Sequence, residues 1–306
     1  VWAFAEAGKP AREVFKSIGN RIVALDQAGS PILQSFGPRD VSTLVWAFAK
    51  SGEMHTHLFE KLADRLLALD LDSFSSQELS NVVWGFAKNE EPQPEIFEKL
   101  AKHIVSLDNL HSFSAQELAN TVWAFAKAGE SQPMIFDKVG SHILALDNLH
   151  LFSHGDLANV VWAFAKAGES QPKLFDKVAD HIIALDNLHS FSPGDLSNTV
   201  WAFAKAGGMP SEIFDKVADH VLALDDSHPF KAEDCSQILW AYETAQIEHP
   251  RLVEKVAAYA ENAKIMIDAE TADKKSQETF DERMRNVEKE EEVASIAAKL
   301  GVLKRR

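Results

Sequence analysis

Two kinds of side chain able to grip a charged, hydrogen-bonding ligand recur in register along the chain. One slot reads Thr43, Asn81, Asn120, Asn159, Asn198 and Gln237, and seven residues further on a second reads Lys50, Lys88, Lys127, Lys166 and Lys205. An amide carries both a donor and an acceptor and can pair with the edge of a base, whereas an ammonium group neutralises phosphate. A third slot, four residues before the first, varies: Arg39, Gln77, Gln116, Gly155, Gly194 and Glu233. The first slot therefore holds the candidate base-facing contacts to RNA and the second the candidate phosphate contacts. An architectural reading stands beside this one. A recurrent Asn can bond to the neighbouring repeat, and one lysine per repeat can be a solvated face; the pattern alone leaves both open.

Other residue types with chemical potential follow the repeat too. His103, His142, His181 and His220 recur in phase, as do His111, His150, His189 and His228. Zinc ligands converge once, at short definite spacings, so this distribution points to architecture. His55 and His57 form an isolated HxH pair. Asp108, Asp147, Asp186 and Asp225 end helical segments, where the helix dipole disfavours a negative charge, so capping the following turn is their expected role. The lone cysteine, Cys235, occupies the slot of Leu79, Leu118, Leu157 and Leu196 and reads as a small buried hydrophobe. Phosphate-binding glycine loops, nucleophile elbows and isolated carboxylate pairs are absent from the sequence. No enzyme activity, cofactor, metal or small-molecule substrate is expected.

The elements that must position these side chains are set by a block read in full as VWAFAKAG at Val122 to Gly129. All seven tryptophans lie in copies of it, Trp2, Trp46, Trp84, Trp123, Trp162, Trp201 and Trp240, separated by 44, 38, 39, 39, 39 and 39 residues. Such a period marks a stacked array in which neighbouring units complete one another's core. Ser114 with Glu117 forms a capping box that starts a helix A, and Gly129 can end it in the left-handed region. Ser75 with Glu78, Ser153 with Asp156 and Ser192 with Asp195 repeat the start signal, and Gly52, Gly168 and Gly207 the stop. Pro133 then opens a helix B, whose Phe136, Val139, Ile143 and Leu146 make one apolar stripe.

The expected fold is therefore all-α: an α-solenoid of about six to seven antiparallel helix-pair repeats with a period of 38 to 39 residues. At 100° per residue, Leu118, Val122 and Phe125 face helix B, Trp123 sits on a flank toward the next repeat, and Gln116, Asn120 and Lys127 share an exposed strip at about 160–200°. The long first interval carries a loop over Gln27 to Gln34, and Tyr242 and Thr244 mark a degenerate last unit. The repeat array is accordingly assigned to 1–260, and 261–306 to a charged helical tail that caps the array or docks on a partner. Helix axes about 8–10 Å apart would space the ladder wider than stacked bases, so a bound RNA strand would lie extended.

Composition restricts the partners. The chain has 306 residues and a net charge of -15, with 21 basic against 35 acidic residues through Ala260 (-14) and 10 against 11 beyond it (-1). An acidic array disfavours indiscriminate binding to nucleic acid. No apolar run approaches the roughly 20 residues of a membrane span. One cysteine permits no internal disulfide, which suits a reducing compartment. Val1 falls inside a repeat, so the natural start, with any targeting segment, is expected upstream.

The units reading FSxxELxNxVWAFAKAG followed by PxxFDKVAxHIxALD resemble octotricopeptide-type, heptatricopeptide-like helical repeats, over the stretch from Val1 to near Ala260. That resemblance implies an organellar protein, of chloroplast or mitochondrion, that binds single-stranded RNA and acts in transcript stability, processing or translation. It also implies base-facing roles for Thr43, Asn81, Asn120, Asn159, Asn198 and Gln237, and backbone-facing roles for Lys50, Lys88, Lys127, Lys166 and Lys205. The alternative is a structural or scaffold subunit that uses the same surface for protein partners in a large assembly.

Overall fold

A computed structural model describes residues 1–7, 12–53, 55–89, 93–130, 132–169, 171–207, 210–225 and 230–261. The tail assigned to 261–306 lies, apart from its first residue, outside the described residues. Among the described residues every regular element is a helix. The A helices are α1 (Trp2–Glu6), α3 (Pro38–Ser51), α5 (Ser76–Lys88), α7 (Ala115–Ala128), α9 (His154–Ala167), α11 (Pro193–Ala206) and α13 (Ala232–Ala245). Between them run the B helices α2 (Arg12–Gln27), α4 (Thr56–Ala68), α6 (Pro94–Ser106), α8 (Pro133–Ala145), α10 (Pro172–Ala184) and α12 (Ser211–Ala223), and residues 250–261 are helical as well. Pairs stacked in sequence order make the expected α-solenoid.

Local chemistry starts and stops the helices where the sequence indicates. The Ser114 N–H donates to Glu117 Oε2 at 2.8 Å while the Glu117 N–H donates to Ser114 Oγ at 3.3 Å, satisfying two donors that have no helical acceptor. Ser75, Ser153 and Ser192 do the same. Gly52, Gly129 and Gly168 end their helices left-handed, at φ 71°, 71° and 74°. Gly207 departs: its φ is 73° but its ψ is 150°, so the chain leaves α11 in another direction. The connections also correct one expectation. The N–H groups of His111, His150 and His189 donate to the Oδ1 atoms of Asn109, Asn148 and Asn187 at 3.0, 3.1 and 3.1 Å. The neutral amide following Asp108, Asp147 and Asp186 thus ties the turn in these three connections, where it accepts a hydrogen bond without adding charge beside the negative helix end.

The core is continuous from end to end because each B helix packs on the A helix of the next unit. Phe59–Phe86, Phe97–Phe125, Phe136–Phe164 and Phe175–Phe203 meet edge-on at 5.6, 5.4, 5.2 and 5.5 Å between ring centroids. Tyr242 continues the series against Phe214 at 5.3 Å, and its hydroxyl donates to the Phe214 carbonyl at 2.6 Å, which satisfies the polar atom this substitution buries. Cys235 is fully buried, and burial pushes its thiol up to about 11, in keeping with an inert core residue. Alanines such as Ala119, Ala124 and Ala126 are buried between A helices. Successive A helices therefore lie against one another along their length, whereas successive B helices touch at far fewer points. The closer-packed row is the inside of the curve, so the A helices line the concave face.

On the B row a lysine in each unit reaches back to the end of the preceding B helix. Lys99 Nζ donates to the carbonyls of Leu66, Leu67 and Leu69 at 3.2, 2.8 and 2.6 Å. Lys138 bonds Leu107, Lys177 bonds Leu144 and Leu146, Lys216 bonds Ile183 and Leu185, and Lys255 bonds Leu222 and Leu224. The last carbonyls of a helix have no acceptor role within it and carry its negative pole, so an ammonium group there is doubly favoured. We expect Lys177→Met to lower stability by about 1–2 kcal/mol, the scale of a partly exposed charge-assisted hydrogen bond, read as a lower urea midpoint at unchanged slope.

The in-phase histidines meet in pairs. His111–His142, His150–His181 and His189–His220 have ring centroids 5.3, 5.5 and 5.3 Å apart, while His103 lies 3.6 Å from Asp72. Burial, and then the neighbouring His111, hold His142 below the usual imidazole range; burial, His150 and His154 do the same to His181. A folded-state pKa below the unfolded one means that acid favours the unfolded chain. Stability should therefore be intact above about pH 6.5 and fall as the pH drops below it, as the unfolded imidazoles take protons that the folded ones resist. Urea midpoints at pH 7.5 and pH 5.5 should differ for the wild type and converge when His142 and His181 are both changed to Gln.

Candidate nucleic-acid interface

Each A helix turns the same strip toward the concave side. Thr43, Asn81, Asn120, Asn159, Asn198 and Gln237 are half-buried, and Lys50, Lys88, Lys127, Lys166 and Lys205 are exposed. The two ladders run side by side, as the seven-residue spacing requires, since seven residues are close to two helical turns. Among the described residues Asn81, Asn120, Asn159 and Asn198 make no side-chain hydrogen bond to the protein. Serines make the polar contacts between A units instead: Ser80 Oγ donates to the Glu117 carbonyl at 3.4 Å, and Ser197 Oγ to Asp234 Oδ1 at 3.3 Å. The Asn ladder is thus not spent on holding repeats together. Gln237 differs, in that its Oε1 is buried and without a partner among the described residues.

Within the lysine ladder, Lys50 lies 3.6 Å from Glu6 and 5.0 Å above the Trp46 ring. On the B row Glu60, Glu98, Asp137, Asp176 and Asp215 are exposed at the same slot of α4, α6, α8, α10 and α12. The B-row lysines Lys99, Lys138, Lys177 and Lys216 turn inward onto carbonyls. The A-helix strip therefore presents a row of exposed ammonium groups within a chain of net charge -15, whereas Lys99, Lys138, Lys177 and Lys216 on the B row are turned onto carbonyls.

The tryptophans form a third ladder, beside the other two. Trp84, Trp123, Trp162, Trp201 and Trp240 lie on one another with centroids 6.3, 6.2, 6.3 and 6.0 Å apart. They sit on the flank that the helical angles assign them, but Trp123 is half-buried, not sealed in the groove. At the inside of the curve the repeats converge, so the ladder spacing falls well below the 8–10 Å typical of helix axes.

The fold and this strip define a helical repeat protein whose A helices present amides and ammonium groups in register. The family model of the RNA-editing substrate-binding complex 6 protein matches residues 1–273, and the chain belongs to that family. This places it among RNA-binding helical repeat proteins without singling out the octotricopeptide type. The family belongs to a mitochondrial RNA-editing complex, which agrees with the mitochondrial half of the expected location and gives the chloroplast no support. No curated protein matches the chain.

Two features of the face escape a reading by single-repeat pattern. The inward lysines of the B row occupy the same FDKV slot in several units, which was visible, but their acceptors lie about one unit earlier in the chain. Gly85 stands where Ala47, Ala124, Ala163, Ala202 and Ala241 stand in the other units, and that single departure was the available signal for an irregular joint.

Proposed function

We propose that this chain is a non-enzymatic, single-stranded RNA-binding subunit of a mitochondrial RNA-editing substrate-binding complex, acting in transcript processing. The observation that carries the reading is the row of Asn81, Asn120, Asn159 and Asn198 amides, without protein partners among the described residues, beside the exposed lysine ladder. In this reading Thr43, the four asparagines and Gln237 face bases, and Lys50, Lys88, Lys127, Lys166 and Lys205 face phosphates. The ladder advances 6.0–6.3 Å per repeat at the indoles. That is close to twice the roughly 3.4 Å rise of a stacked strand, so one nucleotide per repeat would lie unstacked and extended.

The second reading is a scaffold subunit, favoured by the row of outward carboxylates on the convex side. The two faces are distinct, so a basic protein partner on the outside is compatible with RNA inside. Binding of single-stranded RNA of mixed sequence, measured by fluorescence anisotropy between about 50 and 200 mM salt, separates the two. We expect affinity to fall steeply with salt and the log–log slope to shrink by about 2 units in Lys88→Ala/Lys166→Ala/Lys205→Ala, at about 0.7 per lost single-strand phosphate contact. An absence of binding at low salt, or an unchanged slope in the triple variant, leaves the scaffold reading.

A further inference from the structure

We propose that the joint between α3 and α5 is an anchor site that takes one nucleobase, turned out of the strand and stacked between Trp46 and Trp84. This rests on the RNA-binding reading above and gives that surface a fixed starting point.

The indole ladder supplies the contrast. From Trp84 to Trp240 each ring lies on the next at 6.0–6.3 Å, tilted by 29–37°. A flat base inserted between two rings needs two van der Waals contacts of about 3.5 Å each, about 7 Å in all, so those joints are closed to it. The ladder stops at Trp84. Among the described residues Trp46 makes no ring contact with another tryptophan, and a cleft of about 370 Å³ lined by Trp46, Trp84 and, from α1, Trp2 lies at this joint. That volume falls in the range of sites that hold small organic ligands, roughly 300–1,000 Å³. A hollow of about 720 Å³, also bordered by Trp46 and Asn81, lies beside it on the same face.

The backbone at this joint is also unlike the others. A Cβ built on Gly85 would lie 2.4 Å from Val45 Cγ1 and 3.0 Å from the Val45 carbonyl, so α5 seats on α3 more deeply than the alanine of the other units would permit. The same joint has the 38-residue tryptophan interval. Irregular packing and the break in the ladder coincide.

The polar lining fits a base more than a phosphate. Gln77, Asn81, Gln116 and Asn120 border the cleft and make no side-chain hydrogen bond among the described residues, so two or more amides are available to a base edge. Glu6 and Glu117 border it too, and their carboxylates exclude an anion from the interior. Lys50, over the Trp46 ring and 3.6 Å from Glu6, places a cation beside that lining, where a phosphate following the inserted base can replace the carboxylate as its partner.

The test uses the full chain and single-stranded oligonucleotides of about 12 residues, in uniform U, A and C sequences, each also made with one 2-aminopurine moved stepwise along it. Affinity is read by anisotropy, and stacking by quenching of the 2-aminopurine. We expect 2-aminopurine quenching on binding that is lost in Trp46→Ala and kept in Trp162→Phe, weakened binding in Trp46→Ala by roughly 5- to 100-fold, as for loss of one base–aromatic stack, and near-recovery in Trp46→Phe. Trp162→Phe, inside the closed ladder, should change affinity less than about 3-fold. Absence of quenching at every position of a bound strand overturns the anchor site even if Trp46→Ala proves unstable. Wild-type binding with Trp46→Ala within about 2-fold of it also overturns the anchor site and leaves the RNA-binding reading intact. No wild-type binding to any of the strands removes both.

Discussion

The close approach of one A helix to the next governs this molecule. Small buried residues on the flanks of the A helices, mostly alanine with serine or glycine in some units, let the helices lie together along their length, whereas the B helices meet at few points. Unequal spacing of the two rows produces the curvature, and the curvature brings the tryptophans within ring contact. It also fixes the interval at which Asn120, Lys127 and their equivalents are presented. A larger residue in an alanine slot would widen the inner row, flatten the array and separate the ladders. The polar groups of the concave face are therefore positioned by the smallest side chains in the repeat.

Much of the fold could be read from the chain because its signals are local. A serine with a carboxylate three residues on, a glycine after the last turn and a proline in the first turn act within one helix end, and each did what its chemistry requires. The strip of Asn120 and Lys127 also followed from helical angle. What did not follow were properties shared between units. The depth of Trp123 depends on curvature, which no single repeat specifies. Lys177 looks solvated on its own helix, and its acceptors, Leu144 and Leu146, lie 33 and 31 residues earlier. The Asp–Asn pair in three of the connections contains two residues with similar capping ability. The pattern could not say which would be used: Asn109, Asn148 and Asn187 tie their turns, whereas Asp70, with no amide after it, ties its own.

The distribution of charge explains how an acidic protein can belong to an RNA-binding family. On the B row Lys99, Lys138, Lys177 and Lys216 are turned onto carbonyls while Lys102 and Lys173 stay exposed among the carboxylates; on the A helices the lysines of the ladder remain exposed. In the proposed reading the lysine ladder is the track along which an anionic strand lies. The same arrangement leaves the outer face for proteins with basic surfaces, so binding of RNA and membership of a larger complex need not compete for area.

The lysine contacts of the B row have a direction. Lys99, Lys138, Lys177, Lys216 and Lys255 each cap the helix before their own. A unit therefore depends for this capping on its successor and gives nothing of the kind in return. Detaching units from the C-terminal side uncovers carbonyls at every step, while detaching them from the other side uncovers none through these bonds. The array is thus a ratchet of one-way dependence, in which the later repeats guard the earlier ones against fraying.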